Sequence, residues 1–425
     1  MITSVFEELS IHMRPRSGPT YGWLSATYVA IAALAAGCSA PAPPADPHEA
    51  LASAASRIDA LLAASRTATR PTPSPLPPLP EAGDAPVRFW YYAHPLMTAA
   101  FDGAAAHTDA TPVESSYIGE WPAAVQKLMV SFAADDLPDV GMVKRGLVAK
   151  LYESRRIRPL DSVLPQPFID DLRPEVIADY TYDGRLIALP ADGFCSVLYY
   201  NKTSTGAVPP KTWAFLTAFV NAYDALPAPR PPHGLGAFPF MEALWSVGGN
   251  VLAGDRCALG RPEVARALDF VLGISDTPRS EAPAFDLWVT GQLAMTVASS
   301  SHMAAAKRSG MDFGVAPVPG ETGPISRRSD DAVVVFARED GAGGAAIAAF
   351  LDGLTGPKVM GERAADAGSV PLRRSTQTFE SRLPAVAQAY AAGRNTPLHP
   401  DWGAVEAELD RALAEAIAAM VRPVK

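Results

Sequence analysis

Gly184-Arg-Leu-Ile-Ala-Leu-Pro190, a gap of five residues, Ser196-Val-Leu-Tyr-Tyr-Asn-Lys202 and then Pro209-Pro-Lys-Thr-Trp213 form the stretch on which the fold turns. Within it, Val197-Leu-Tyr-Tyr200 is short, apolar and aromatic, the composition of a buried strand. Val87-Arg-Phe-Trp-Tyr-Tyr92 and Asp331-Ala-Val-Val-Val-Phe336 have the same character, and Pro138-Asp-Val140 begins another strand. Helical spacing runs from Trp121 to Ala133, with Val125, Leu128, Met129 and Phe132 on one side. Leu147–Ser154, Pro262–Leu272, Gly344–Leu354 and Ala404–Met420 also read as helices. Strands that alternate with helices imply an α/β protein with mainly parallel sheets.

The chain has 425 residues, enough for two or three domains or one large one. Its 36 basic and 45 acidic side chains leave a net charge of -9, which argues against a nucleic-acid groove. Hydrophobic residues make up 48%, ample for a core. The three cysteines, Cys38, Cys195 and Cys257, are too few for a disulfide framework, and Cys195 and Cys257 are expected as unpaired thiols. There is no nucleophile elbow, HExxH pair or Walker loop. Gly341-Ala-Gly-Gly344 lacks the Lys-Ser/Thr that phosphate transfer needs, and the histidines are dispersed. His94 and His302 alone would make a poor zinc site. No catalytic residue, metal centre or cofactor is expected; the reading points to binding.

The N-terminus has its own logic. Met13-Arg-Pro-Arg16 precedes an apolar run from Trp23 to Ala36, shorter than the ~20 residues of a membrane span. Leu34-Ala-Ala-Gly-Cys38 resembles the lipobox of a bacterial lipoprotein signal, which implies removal of residues 1–37 and acylation of Cys38. Glu7 and Glu8 are out of place in such a signal, so Met13 is the expected start. The lipid would tether the chain to the membrane without spanning it. Residues 38–85 are rich in Ala and Pro and read as a spacer, with a potentially helical patch from His48 to Ser65. The body is expected over 86–425.

The opening stretch resembles the crossing segment of bacterial family 1 extracellular solute-binding proteins. These are the receptors of ABC importers for maltose-type sugars and glycerol phosphate. Trp245-Ser-Val-Gly-Gly-Asn250, Pro262-Glu-Val-Ala-Arg-Ala-Leu268, Gly291-Gln-Leu-Ala-Met295, Phe313-Gly-Val-Ala-Pro-Val-Pro-Gly320 and Ala364-Ala-Asp-Ala-Gly-Ser-Val-Pro371 match further blocks in family order. The resemblance implies a two-lobe α/β fold of the periplasmic-binding-protein type II, with three crossings near 192–198, 314–320 and 369–375. Lobe 1 would hold about 86–193 and 317–371, and lobe 2 about 194–316 and 372–425. It implies a monomer that captures a small polar solute between its lobes, closes, and delivers it to ABC permease subunits.

Sugar sites stack aromatic faces on pyranose rings and surround them with polar groups. The segments that the family places at the cleft supply Tyr92, His94, Trp121, Phe194, Ser196, Trp245 and Trp402. For any one of these aromatics, core packing is an equal or better explanation, with Trp245 and Trp402 the leading exceptions. Where maltose-type receptors carry a stacking Trp, this chain has Ala298-Ser-Ser-Ser-His302, so Ser299, Ser300 and Ser301 look more like the phosphate-holding turn of glycerol-phosphate receptors. Lys144 would add positive charge, and no Arg is firmly placed in the cleft. A carbohydrate-type solute is the first expectation, with glycerol 3-phosphate or its diester second. A surface hydrolase and a non-transport sensor or scaffold lipoprotein are the competing classes.

Overall fold

In the computed structural model, the residues described are 46–67, 75–80, 85–92, 112–227, 233–236, 238–274, 284–356, 359–361, 368–379 and 383–421. His94 and the whole signal region, Cys38 included, lie outside them. The first sheet draws on β1 (Val87–Tyr91), β2 (Val113–Tyr117), β3 (Val140–Lys144), β4 (Ile157–Arg158) and β5 (Leu189–Pro190). The second draws on β6 (Ser196–Asn201), β7 (His233–Leu235), β8 (Leu293–Ser299) and β9 (Phe313–Ala316). Then come β10 (Val318–Pro319), β11 (Pro324–Arg327), β12 (Asp331–Phe336), which returns to the first sheet, and β13 (Gly393–Arg394).

The first sheet has the order β2-β1-β3-β12-β4, with β5 also on β12. β1 is parallel to β2 and β3, with Phe89 opposite Val140. β12 is antiparallel to β3, placing Asp331 opposite Lys144. The ends of β1 and β3 and the start of β12 therefore share one edge. That edge faces the second lobe, because the chain leaves it through Pro190 and Ala191. The second sheet has the order β9-β6-β8-β7, and its central pairings are antiparallel, with Ser299 opposite Ser196 and Gly314 opposite Tyr200. This corrects the expectation of mainly parallel sheets. β6 runs outward from the hinge and β8 and β9 run back towards it, so they must oppose it in direction.

Each sheet has its own core. Phe89, Val140, Val335 and Phe350 belong to the first; Leu198, Leu216, Leu244, Val264 and Met295 belong to the second, and Tyr199, Trp288 and Tyr390 pack on its other face. The chain passes from the first sheet to the second through 191–195. It returns through 328–330, rather than at the expected 314–320. Val318 and Ile325 are buried in the second core, and β11 pairs with β13, so the Pro-rich turn there belongs to the second lobe.

The helices named below are α1 (Pro47–Thr67), α2 (Trp121–Ala134), α3 (Arg145–Glu153), α4 (Pro174–Tyr180), α5 (Phe240–Ser246), α6 (Pro262–Ile274), α7 (Gly344–Thr355) and α8 (Trp402–Val421). Pro122 pre-sets the first turn of α2, and Asp135 closes it in the left-handed region at φ 54°. Its buried stripe runs through Ala124 and Leu128, which rotates Met129 outwards to 64% exposure, against expectation.

The largest departure is at the N-terminus. The Ala-rich patch expected within a spacer is α1, packed along α8 with Ala50, Leu51, Ala54, Ile58 and Leu62 in the second core. The i, i+4 and i, i+7 spacing of these residues makes one apolar stripe. Arg57 pairs with Glu408 at 2.7 Å, and Asp59 accepts from the Cys257 backbone N–H at 3.0 Å. Cys195 and Cys257 are both unpaired. Among the described residues, no helix is long and apolar enough to cross a membrane.

Candidate functional site

On the edge of the first sheet that faces the second lobe, two strand ends converge on one carboxylate. The Tyr92 hydroxyl and the Lys144 ammonium both donate to Asp331 Oδ1, each at 2.5 Å. The Lys144 Nζ lies 5.5 Å from the centroid of the Tyr92 ring, and that ring meets Trp121 at 4.7 Å and 52°. Burial works against the charge on Lys144, but Asp331 outweighs it and the lysine pKa is raised. Burial and then Asp331 push the Tyr92 phenol well up, so it remains a donor. Trp121 starts α2 and is half-buried against the first core. Tyr92, Trp121 and Lys144 are thus brought together, with Asp331 as the partner that the sequence reading missed.

Other expected site residues are spent on the hinge. The Phe194 carbonyl accepts from Ser329 N–H at 2.9 Å. Ser196 Oγ accepts from the Arg327 backbone N–H at 2.8 Å, and its carbonyl accepts from Ser326 Oγ at 2.9 Å. Ser300 is fully buried; its N–H donates to the Cys195 carbonyl at 2.7 Å and its Oγ accepts from Cys195 N–H at 3.2 Å. Gly193 lies against Val370, where a Cβ would run into the carbonyl oxygen. Ser299 and Ser301 remain partly exposed, with Ser301 Oγ bonded to Ser299 Oγ at 2.9 Å. His302 is pressed on Phe285, and burial pushes its pKa down to about 4, which keeps the imidazole neutral.

The second lobe supplies Trp245 from α5, with the Arg394 guanidinium 5.4 Å from its ring. Arg394 donates to Asn250 Oδ1 at 2.9 Å, and burial lowers its pKa. Among the described residues no carboxylate pairs with it. This is the arginine that the sequence reading could not place. No motif surrounds it, and only the pairing of β13 with β11, Arg327 opposite Arg394, brings it beside the hinge. Trp245 is 5% exposed and lies in the second core; Trp402 is 1% exposed, with its ring packed on Gly146 of α3. It seals the contact between lobes and presents no free face in this arrangement.

A partly buried ionic cluster lies at the hinge. Arg327 pairs with Asp330 and, at 3.1 Å, with Glu406 of α8. Arg328 grips Asp179 of α4 through two bonds, at 2.6 and 2.9 Å, and donates to the Tyr390 carbonyl. Bidentate geometry of this kind fixes orientation as well as charge. Among the described residues, no cluster of three His, Cys, Asp or Glu could hold a metal ion.

Two α/β lobes, a hydrogen-bonded hinge between them and an aromatic, charged edge looking across it define a two-lobed binding protein. The family described as bacterial extracellular solute-binding protein matches residues 97–392, and the chain belongs to that family. The maltotriose-binding protein of Pyrococcus abyssi is 22% identical over 367 residues, 79% of each chain. UgpB from Mycobacterium tuberculosis, solved in complex with glycerophosphocholine, superposes with a TM-score of 0.66 at 20% identity, over 79% of this chain and 96% of that one. The cyclic alpha-maltosyl-1,6-maltose binding protein from Arthrobacter globiformis gives 0.64 at 22% identity, over 79% and 98%. Membership places the chain outside the cytoplasm, with a small solute as its ligand.

Proposed function

We propose that this protein is a monomeric receptor of an ABC importer, acylated at Cys38 after cleavage of its signal, which captures a carbohydrate-type solute between its lobes. The carrying observation is the corner of Tyr92 and Trp121 beside the Asp331–Lys144 pair. A pyranose ring offers an apolar face to the half-buried Trp121 and hydroxyls to a carboxylate and an ammonium. Because Lys144 is already matched by Asp331, this corner suits a neutral polyol better than an anion. Hinge closure then needs only that the closed state bind the solute more tightly than the open one. The maltotriose-binding relative supports this choice.

A second reading, a glycerol phosphate or its diester, is favoured by one observation. Arg394 is a guanidinium without a carboxylate partner among the described residues, stacked on Trp245. Phosphate oxygens suit that fork, and the UgpB likeness is consistent with it. Titration calorimetry with maltotriose and with glycerophosphocholine separates the two: saturable 1:1 heat with the sugar alone supports the first reading, and heat with the diester alone replaces it by the second. Release of product from either would overturn the binding role. Labelling with a radioactive fatty acid, lost in Cys38→Ser, checks the anchor.

A further inference from the structure

We infer that the helix Trp213–Asp224 of the second lobe is a docking surface for a phospholipid bilayer. A surface helix normally hides one face and turns a polar one to water. Here Trp213, Leu216, Val220 and Tyr223 are buried, and the opposite stripe carries Ala214, Phe215, Ala218 and Ala222, all exposed. Phe215 is 69% exposed. Thr217, Asn221 and Asp224 gather on one flank, and Asp224 is the single charged residue of the helix. A helix that is apolar on both faces is one that something covers.

The occupant follows from where the chain enters this lobe. The start of α1 is pinned by His48, whose Nε2 lies 2.8 Å from Asp269 Oδ1 on α6. The next residue of α6, Phe270, stacks flat on Trp213, with ring centroids 3.8 Å apart and 6° between the planes. Two adjacent residues of α6 thus bridge the start of α1 to the start of the apolar helix. Cys38 lies nine peptide links before Pro47, at most about 32 Å of chain. A lobe of roughly 200 residues has a radius of gyration of ~16 Å and is ~40 Å across. A lipid on Cys38 is therefore on a leash shorter than the lobe, and it keeps the side where α1 enters towards the bilayer.

Lipid also suits the chemistry of the stripe. Phe215 stands among alanines, so the helix can lie flat and seat one ring at the boundary of headgroups and acyl chains. Lys211, exposed two residues before the helix, carries an ammonium for a headgroup phosphate, and Val208 just upstream is 77% exposed. A bilayer needs no shaped counterpart, and a stripe of alanines offers none.

The inference rests on the Cys38 anchor proposed above, and its test keeps the two apart. The chain from residue 38, as signal cleavage would leave it, carries a hexahistidine in place of the acyl group. It is held on phosphatidylcholine vesicles that contain a nickel-chelating lipid, so the tether starts at residue 38 whether or not Cys38 is acylated in the cell. A fluorophore is attached at Ala218→Cys or, on the first lobe, at the exposed Asp340→Cys, both in a Cys38→Ser, Cys257→Ser background that keeps the buried Cys195. Spin-labelled lipid quenches the fluorophore that comes close. An apolar helix face sits ~5–10 Å into the headgroup boundary, so the label at 218 should lose about half its emission or more while the label at 340 keeps it. Phe215→Glu, at an exposed position outside the core, should return the label at 218 to the level of that at 340. Equal quenching at the two positions, or quenching at 218 that Phe215→Glu leaves unchanged, overturns the docking surface. A dimer in solution that Phe215→Glu dissolves overturns it as well, giving the stripe to a second copy of the chain. Fatty-acid labelling of Cys38 reports independently on the anchor.

Discussion

Ile58→Ala separates a spacer from a structural helix most cleanly. Ile58 is 0% exposed and lies in the core that α1 shares with α8. The substitution removes three carbon groups, worth ~2.4 kcal/mol of transfer at ~0.8 each. Incomplete collapse of the cavity adds to this, giving about 3 kcal/mol within the usual ~2–5 for such truncations. For a lobe of roughly 200 residues, each kcal/mol shifts the midpoint by ~2–4 °C, so the second-lobe transition should fall by about 6–12 °C. Differential scanning calorimetry of the full-length chain reads this, with Ser56→Ala, on the exposed face of the same helix, as the control that stays within about 1 °C. A spacer would leave Ile58 in water in both states, and its truncation would then cost almost nothing. A shift in Ile58→Ala no larger than that of the control refutes the packing of α1.

Trp121→Ala should weaken sugar binding about tenfold or more, since stacking contributes ~0.5–1.5 kcal/mol beyond the area lost; unchanged affinity in calorimetry would remove Trp121 from the site. Asp331→Asn unmatches Lys144, so the ratio of affinities for glycerophosphocholine and maltotriose should move towards the diester; a ratio that stays put would show that the pair does not face solute. Glu406 has its pKa raised from 4.5 to about 7, by burial first and then by Asp330, against the opposing pull of Arg327. The folded state therefore holds this proton more tightly than the unfolded one. That stability is complete below pH 4.5 and is lost as pH rises through 7. Glu406→Gln should flatten the fall in urea midpoint between pH 5 and pH 8, and slopes parallel to wild type would exclude this proton as its source.

What the sequence revealed depended on whether a signal was local. β12 and β1 are short apolar runs and stand where their composition puts them. In the opening stretch, β6 begins at Ser196 as its motif implies, and Thr212 caps the helix that starts at Trp213, its Oγ1 accepting from Phe215 N–H at 3.5 Å. The misreadings were of residues whose partners lie far along the chain. α1 is Ala-rich, weakly amphipathic and flanked by Pro clusters, which in isolation describes a spacer; its burial depends on α8, more than 300 residues later. Asp331 lies 187 residues from the Lys144 that it neutralises, so a lysine that reads as available charge is already paired. Ser196 and Ser300 read as ligand hydroxyls because their segments run past the cleft, but the hinge uses both.

That use of the serines bears on how the solute is chosen. A hinge that takes up the hydroxyls of Ser196 and Ser300 leaves recognition to the walls, and the walls differ in charge. The first lobe presents Asp331 with its lysine, and Asp192 and Asp330 stand close enough to act on Tyr92. Asp331 is matched by Lys144, Asp330 by Arg327, and Asp192 is buried and accepts from the Phe194 N–H, so these groups leave no unmatched positive charge for an anion. The second lobe presents Arg394 on Trp245, held, among the described residues, by the neutral Asn250. A neutral polyol can use both walls at once, giving hydroxyl protons to the carboxylates and oxygen lone pairs to the arginine. A phosphodiester must place its charge on the second lobe and turn its glycerol hydroxyls towards the first. On the proposed reading, the oxygen-rich end of either ligand would lie towards Arg394. Arg394→Ala should accordingly cost the diester far more affinity than the sugar.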